Sequence, residues 1–258
     1  MSAQIIAVAN QKGGVGKTTT TVNLAASLAA RKQRVLVIDL DPQGNATTGS
    51  GIDKAAIEQG VYQVVLGDTD IRSAVIRSES GGYDVLAANR ALAGAEVELV
   101  QEIAREIRLK NALQAVDSDY DFVLIDCPPS LTLLTLNGLV AANGVIVPML
   151  CEYYALEGIS DLVATVRKIR QAINPKLDVT GIVRTMYDGR SRLVVEVSEQ
   201  LKQHFGNLMF DTTIPRNIRL AEAPSHGMPA LAYDASAKGA KAYLALAEEL
   251  MKRVGKTV

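Results

Sequence analysis

The sequence predicts an α/β fold: a mostly parallel, twisted sheet with helices on both faces. Two observations lead to this prediction. Short apolar runs rich in β-branched residues alternate with helical patterns along the whole chain. The apolar runs are nearly continuous, which is typical of parallel strands buried on both faces. No linker, repeat or low-complexity segment divides the 258 residues, so residues 1–258 are expected to form a single domain.

The individual elements follow from these patterns in order. Strands are predicted at residues 5–9 (IIAVA), 34–38 (RVLVI), 122–125 (FVLI), 144–148 (GVIVP) and 179–183 (VTGIV). Helices are predicted at residues 17–30, 95–116, 131–141, 156–173, 192–205 and 236–254. Residues 50–82 are the least regular part of the chain, and no element is predicted there.

The composition excludes several classes of protein. Apolar residues make up 48% of the chain, which is enough for a substantial core and excludes intrinsic disorder. The 27 Lys and Arg residues against 28 Asp and Glu give a net charge of −1, which excludes a whole-molecule polycation. Aromatic residues make up 4%, with no Trp, which argues against RNA or single-strand binding by base stacking.

Three features bear on the cellular compartment. Two cysteines, Cys127 and Cys151, are too few for a disulfide framework. The chain begins without the charged region of a signal peptide. The uncharged stretch between the two cysteines is long enough to span a bilayer, but prolines and Asn-Gly turns interrupt it. The sequence therefore predicts a soluble, cytoplasmic protein.

A glycine-rich segment, residues 10–19 (NQKGGVGKTT), follows the first predicted strand and opens the first helix. In this context the backbone N–H groups of such a loop cradle phosphates. Lys17 is expected to reach the β- and γ-phosphates, and the Thr18 hydroxyl to bind Mg²⁺. The predicted nucleotide-binding residues of this loop are Lys12, Gly13, Gly14, Val15, Gly16, Lys17, Thr18 and Thr19.

The loop departs from the standard G-x-x-x-x-G-K-[ST] pattern, because Gln11 stands where the first glycine is required and Lys12 follows it. This variant, KGGVGKTT, resembles the deviant phosphate loop of the ParA/MinD group of P-loop ATPases. In that group the lysine matching Lys12 crosses a dimer interface to the nucleotide of the other subunit. The resemblance implies ATP and Mg²⁺ as cofactors and a homodimer in the ATP state. By analogy with an arginine finger, such a cation adds ~10³–10⁵ to the rate.

Carboxylates end two of the predicted strands, where an open parallel sheet binds its ligands. Asp126 follows four apolar residues, as a carboxylate that binds Mg²⁺ directly or through water does. Asp39 and Asp41 belong to a DLDPQGN segment that resembles the same family's motif. The resemblance assigns Asp41 to orienting the attacking water and Asp39 to supporting the metal. The alternatives are a helix cap for Asp126 and turn formation before Pro42 for Asp39 or Asp41.

The two cysteines raise a metal hypothesis, because an iron–sulfur relative of this fold binds a cluster between subunits. Cys127 lies next to the predicted magnesium carboxylate, whereas Cys151 ends a different strand among apolar residues. A cluster across a two-fold axis needs suitably placed cysteines from each chain. Both cysteines are therefore interpreted as small buried hydrophobic residues.

The last third of the chain carries a small excess of positive charge: residues 1–183 hold 16 basic and 20 acidic residues, and residues 184–258 hold 11 and 8. Two segments there, TMYDGR and IPRNIRLAEAP, resemble motifs of chromosome- and plasmid-partition ATPases. In those proteins they supply arginines that bind DNA phosphates without sequence preference. The predicted DNA-binding residues are Arg190, Arg219, Arg216, Lys238 and Lys241, the alternative being solvated charges or local ion pairs such as Arg219 with Glu222.

The resemblance carries further expectations about ligands and partners. Pro215 and Asn217 are expected to contact the adenine. A DNA-bound ParB-type partner is expected to stimulate slow hydrolysis, and the protein is expected to be cytoplasmic and nucleoid-associated. The alternatives in the same group are a MinD-like membrane-positioning ATPase and an ATPase that positions protein cargo or acts as a metallochaperone. The last helix carries an ordinary apolar stripe rather than an interfacial anchor, so no membrane binding is expected.

Overall fold

The computed structural model describes residues 2–153 and 155–256, without the side chains of Ala155 and Glu157. Its sheet has eight strands in the spatial order β3-β4-β2-β5-β1-β6-β7-β8. The strands β1 to β8 are Gln4–Val8, Val35–Asp39, Val75–Ser78, Tyr83–Leu86, Phe122–Asp126, Gly144–Leu150, Asp178–Tyr187 and Met209–Pro215. Every neighbouring pair is parallel except β3 with β4. The predicted fold class is confirmed.

The helices connect these strands across both faces. The α-helices α1 to α12 are Lys17–Ala30, Asn45–Gly49, Val61–Leu66, Ile71–Ala74, Leu92–Glu98, Arg108–Leu113, Leu133–Ala141, Ala155–Ala172, Arg192–Phe205, Ile218–Glu222, Ala230–Tyr233 and Lys238–Arg253. Short 3-10 turns occupy Lys54–Ala56, Leu99–Gln101, Gly206–Leu208 and Ala223–His226. In the described ranges, no helix has the length and apolarity needed to cross a membrane.

Alternate residues of the central strands pack against different helix layers. In β2, Leu36 and Ile38 join the core that contains α3, α5, α6 and α7. Val35 and Val37 of the same strand join the opposite core, which contains α1 and α12. All five residues of β2 and of β5 are buried, as the continuous apolar runs predict.

The predicted helix over residues 95–116 is wrong. Helix α5 ends at Glu98, a 3-10 turn follows, and α6 begins only at Arg108. Ala104 lies between them with a left-handed φ of 55°, which a continuous α-helix cannot accommodate. The buried side-chain amide of Asn137, on α7, forms hydrogen bonds with the backbone of this non-helical segment and of α6. It donates to the Arg105 carbonyl at 2.7 Å and accepts from the Leu109 N–H at 3.1 Å. Tertiary hydrogen bonds thus replace the helical ones.

The sequence patterns also missed three strands. Strands β3 and β4 form an antiparallel pair at one edge of the sheet, and β8 forms the opposite edge. Part of the irregular stretch of residues 50–82 folds into α3, α4 and β3. These elements are four to seven residues long, and so short a run carries little periodic signal.

Candidate nucleotide-binding site

The glycine-rich loop connects β1 to α1 at the C-terminal ends of the parallel strands. Gly14 and Gly16 adopt left-handed backbone angles, with φ of 74° and 88°. A Cβ atom added at Gly13 or Gly14 would meet nothing within 4 Å, so open space lies beside the loop. A loop of this conformation that leads into a helix N-terminus is suited to bind an anion.

Both lysines of the loop make contacts within the chain. The Lys17 ammonium donates to the Lys12 carbonyl at 3.2 Å. Burial lowers the pKa of Lys17, while the negative charge of Asp126 opposes that shift. The Lys12 ammonium forms an ion pair with Glu152, and the side chains of Lys12 and Glu152 are 55% and 52% exposed. Lys17 is therefore turned into the loop, whereas Lys12 lies at the surface.

Thr185 of β7 fixes the loop to the sheet, and the sequence analysis did not identify it. Its hydroxyl lies 2.7 Å from the Val15 carbonyl and 2.9 Å from the Met149 carbonyl of β6. The hydroxyl is buried together with Val15. This contact holds the middle of the loop in position relative to two strands. The only sequence signal for it is the threonine of the TMYDGR segment.

Asp126 accepts hydrogen bonds from two threonines of α1. The Thr18 hydroxyl donates to its Oδ2 at 2.7 Å, and the Thr21 hydroxyl donates to its Oδ1 at 3.1 Å. Burial raises the pKa of Asp126, and the nearby charge of Asp39 raises it further. Thr21 was not predicted, although it lies one helical turn after Lys17, on the same side of α1.

These side chains fit a magnesium ion. Mg²⁺ usually binds one or two carboxylates and completes its coordination with waters and substrate phosphates. The Thr18 hydroxyl and the Asp126 carboxylate are oxygen ligands that lie together beside the phosphate loop. Among residues 2–153 and 155–256, no three His, Cys, Asp or Glu side chains form a group that could hold a metal ion by themselves. A magnesium ion at this site would therefore take some of its ligands from the nucleotide phosphates.

Asp39 is completely buried at the end of β2. Its Oδ2 accepts from the Thr47 N–H and from the Thr47 hydroxyl, both at 2.8 Å, and its Oδ1 accepts from the Asp41 N–H at 3.1 Å. Burial raises the pKa of Asp39, and the hydrogen bonds from Thr47 oppose this shift. In this arrangement Asp39 holds the segment from Asp41 to Thr47 against the sheet.

Asp41 is partly exposed and lies two residues after Asp39, the last residue of β2. Its Oδ1 accepts from the Gln43 N–H at 2.9 Å, so it does form a turn. Its charge also raises the pKa of Lys17 and the pKa of Asp126. Asp41 thus has one oxygen fixed by the turn, in a position from which a carboxylate can polarise a water near the phosphates.

A cleft of 120 Å³ opens beside the glycine-rich loop, and it brings Pro215 and Asn217 to the same wall. Within the described residues, the Oδ1 atom of Asn217 is buried and has no hydrogen-bond partner. Met186 lines the cleft with a left-handed φ of 48°, which is rare for a non-glycine residue. The residues around the cleft are Gly16, Thr19, Thr185, Met186, Ile214, Pro215, Arg216, Asn217, Leu220, Ala221 and Tyr243.

A larger cavity of 410 Å³ lies at the other end of the parallel strands, next to Ala3 and Asn143, which precede β1 and β6. None of the predicted site residues lines it. The amides at its rim already bond to the protein, because the Asn143 Oδ1 accepts from the Ile5 N–H and Asn174 donates to two carbonyls of the α7 end. The smaller cleft beside the loop is therefore the better candidate for a ligand.

The predicted DNA-binding residues divide into two groups. Arg190 pairs with Asp188 at 2.8 Å. Arg219 pairs with Glu222 at 2.7 Å and with Asp234 at 3.4 Å, as the alternative interpretation of local ion pairs expected. The other three residues are exposed and form no ion pair within 4.0 Å inside the described ranges: Arg216, Lys238 and Lys241.

Both cysteines are buried and free, which agrees with their interpretation as small core residues. Burial raises the pKa of the Cys127 thiol, and the charge of Asp126 raises it further. Burial also raises the pKa of the Cys151 thiol, to about 11.

Comparison with known proteins places this geometry in a family. Residues 3–179 match the AAA domain family. The chain is 52% identical over 247 residues to the sporulation initiation inhibitor protein Soj of Bacillus subtilis, covering 96% of this chain and 98% of that protein. It is 47% identical over 252 residues to the chromosome partitioning protein ParA of Caulobacter vibrioides, covering 97% of this chain and 94% of that protein.

A solved structure gives the same picture of the fold. The cobyrinic acid a,c-diamide synthase of Mycobacterium smegmatis with bound ADP and magnesium superposes with a TM-score of 0.86. Its sequence is 39% identical, and the match covers 98% of this chain and 96% of that one. The phosphate loop, the carboxylates at the strand ends and the near full-length similarity to Soj and ParA agree. The chain therefore belongs to the Soj/ParA family of chromosome-partitioning ATPases.

Proposed function

We propose that residues 1–258 form one ATPase domain that acts as an ATP-dependent switch for DNA segregation. Mg-ATP binding forms a homodimer, the dimer binds double-stranded DNA without sequence preference, and slow hydrolysis stimulated by a ParB-type partner releases the DNA. The observation that carries the proposal is the meeting of Lys17, Thr18 and Asp126 beside the glycine-rich loop, in a chain about half identical to Soj.

Nucleotide binding is assigned to the loop and to the cleft beside it. The loop N–H groups and Lys17 bind the phosphates, and the cleft with Pro215 and Asn217 binds the base. The Oδ1 of Asn217 is a buried acceptor without a partner, and it can accept from the exocyclic amine of adenine once the side chain turns from Gly239 toward the cleft. ATP is the proposed nucleotide because the chain belongs to the Soj/ParA family of ATPases.

Hydrolysis requires a positioned water and compensation of the charge on the phosphates. Asp41 orients the attacking water, and Lys17 moves from the Lys12 carbonyl to the phosphate oxygens. Thr18 and Asp126 would hold Mg²⁺, which supplies charge neutralisation on the phosphates when it is bound. Asp39 keeps the Asp41 segment in place through its bonds to Thr47.

Dimerisation is assigned to Lys12. Its ammonium lies at the surface rather than in the loop, so it is available to a nucleotide held by a second subunit. To reach that nucleotide it exchanges Glu152 for phosphate oxygens. A cation that arrives only with the partner makes hydrolysis depend on dimer formation, as an arginine finger does, and supplies ~10³–10⁵ in rate.

The DNA surface is proposed to contain Arg190, Arg216, Arg219, Lys238 and Lys241. Tyr187 and Pro215 are register partners at the ends of β7 and β8, so Asp188, the ion-pair partner of Arg190, and Arg216 follow neighbouring strand ends. Contacts of this kind bind phosphates and carry no sequence information. If each dimer neutralises ~6 phosphates, log affinity falls with log salt concentration with a slope of about −5.

The membrane-positioning alternative receives less support. Tyr243, Leu246, Ala247, Leu250 and Met251 of α12 are buried in the core shared with α1. An interfacial anchor needs an apolar face that is free to enter the lipid boundary. Sedimentation with anionic liposomes in the presence of ATP separates the two hypotheses, and no binding is expected.

The test is binding of a fluorescent duplex of arbitrary sequence, titrated in parallel with ATP and with ADP at fixed salt. The Asp41→Ala variant is used so that ATP persists during the measurement. Binding that requires ATP is expected. Intact ATP hydrolysis by the wild type without DNA binding in either nucleotide state would reject the DNA switch and favour a membrane or protein client.

A further inference from the structure

Two of the proposed DNA-binding arginines form ion pairs, Arg190 and Arg219, and Arg190 is the more exposed of them. Its side chain is 91% exposed, yet its guanidinium contacts Asp188 with two hydrogen bonds. The Nε–H donates to Oδ1 at 2.9 Å, and one terminal nitrogen donates to Oδ2 at 2.8 Å. This fork is the geometry with which arginine binds a phosphate. Asp188 thus takes the place that a DNA phosphate would take.

The turn around Asp188 holds the carboxylate in this position. Its Oδ1 also accepts from the Arg190 backbone N–H at 3.1 Å, and its carbonyl accepts from the Ser191 N–H at 3.1 Å. The hydrogen bonds from Arg190 and, less strongly, the charge of Arg216 lower the pKa of Asp188 to about 2. The carboxylate is therefore ionised near neutral pH, and Arg216 follows Pro215, the register partner of the residue before Asp188.

We infer that Asp188 limits the DNA affinity of this protein by occupying Arg190 in place of a DNA phosphate. The inference rests on the proposed function, since it concerns the same DNA surface. For Arg190 to bind DNA, it has to leave Asp188, and the released carboxylate then attracts a cation from solution. Asp188 also repels the incoming phosphate directly.

The consequence for salt dependence is specific. A free arginine that binds a phosphate releases about one counterion from DNA, which adds about 0.9 to the slope of log affinity against log salt. When Arg190 is taken from Asp188, the uptake of a cation by Asp188 offsets that release. The wild-type slope is therefore shallower than it would be without the carboxylate, by about 1 per subunit.

The same strand provides a matched control at its other end. Asp178, the first residue of β7, pairs with Arg170 at 3.0 Å. Their side chains are 68% and 52% exposed, so this is also an aspartate–arginine pair at the surface. Asp188 follows the last residue of β7, so the two pairs lie at opposite ends of the strand.

The experiment compares wild type, Asp188→Asn, Asp178→Asn and the double variant Asp188→Asn/Arg190→Ala. Asparagine keeps a side-chain oxygen that can accept from the Arg190 N–H, so the turn is retained while the charge is removed. Affinity for an arbitrary-sequence fluorescent duplex is measured with saturating Mg-ATP at several salt concentrations. Asp188→Ser is the second neutral variant, and ATP hydrolysis without DNA confirms that each variant is folded.

We expect Asp188→Asn and Asp188→Ser to bind DNA about threefold to tenfold more tightly, with a slope steeper by about 1 per subunit. Asp178→Asn should change neither quantity. The gain should be largely lost in the double variant, because Arg190 is the group that Asp188 occupies.

Equal or weaker DNA binding by the two neutral variants would overturn the inference while leaving the DNA switch intact. A gain fully retained in the double variant would also overturn it, since Asp188 would then act without Arg190. If no protein in the series binds DNA, the proposed function fails together with the inference.

Discussion

Asp39 of β2 and Asp126 of β5 are register partners at the ends of two neighbouring parallel strands, and both are buried. Burial raises the pKa of each carboxyl group, and the charge of Asp39 raises the pKa of Asp126 further. Two buried carboxylates at paired positions of neighbouring strands lower the stability of the nucleotide-free protein. A bound cation offsets that cost, which links the stability of the site to its ligands.

Asp126→Asn is expected to stabilise the nucleotide-free protein at pH 8. A carboxyl group whose pKa is higher in the folded than in the unfolded chain lowers stability once it ionises, so stability decreases as pH rises above the ordinary aspartate pKa of 3.8. Removing the charge should raise the melting temperature at pH 8 by about 3 °C or more, with a smaller effect at pH 5. Thermal unfolding without metal or nucleotide measures this, and a lower melting temperature at pH 8 would contradict it.

Lys17→Ala should abolish nucleotide binding. Lys17 is the buried cation of the phosphate loop, and charge-assisted bonds of this kind contribute ~1.5–3 kcal/mol each. Isothermal titration with Mg-ATP should show no measurable binding, because each lost charge-assisted bond lowers the affinity by about tenfold to a hundredfold. Lys168→Ala, an exposed lysine on α8, is the control and should bind as wild type does. Unchanged affinity of Lys17→Ala would remove Lys17 from the site.

Lys12→Ala should leave ATP binding within about twofold and block the ATP-dependent dimer, because its side chain lies at the surface of its own loop. Hydrolysis should fall by ~10³ or more if Lys12 acts in trans. Light scattering coupled to size exclusion, with and without ATP, measures the dimer, and Lys176→Ala serves as the exposed control. A normal ATP dimer of the Lys12→Ala protein would refute the assignment.

Asp41→Ala should trap the ATP dimer on DNA. The variant loses the carboxylate that orients the water while Lys17, Thr18 and Asp126 remain in place. Loss of a positioned general base costs ~10²–10⁴ in rate. Dissociation of the ATP-loaded protein from a DNA-coated surface should slow by a similar factor. Normal turnover would exclude Asp41 from the mechanism.

Asn217→Ala should weaken the preference for ATP over GTP. Its orphaned Oδ1 is the acceptor proposed for the adenine amine, and the loss of one such partner in a cleft costs ~1–3 kcal/mol. Competition of ATP and GTP against a fluorescent nucleotide should show the discrimination reduced by about tenfold. Gln33→Ala, a half-buried amide in the turn between α1 and β2, is the control. An unchanged ratio would remove Asn217 from base selection.

Long and regular elements could be predicted from the sequence because their patterns are local. The apolar runs located β1, β2, β5, β6 and β7, and the glycine-rich segment located the loop between β1 and α1. The helix predicted over residues 95–116 was wrong for a reason outside its own sequence. Asn137, on a different helix, binds the Arg105 carbonyl inside the break and the Leu109 N–H at the start of α6.

The sequence by itself determined the fold class and the identity of the phosphate loop, because strand burial and glycine conformation follow from side-chain type and spacing. Tertiary structure decided which groups meet. It placed Thr185 on the Val15 carbonyl and Thr47 on Asp39, the two pairs being 170 and 8 residues apart in the chain. Hydrogen bonds need their atoms within about 3 Å, and only the packed chain sets such distances.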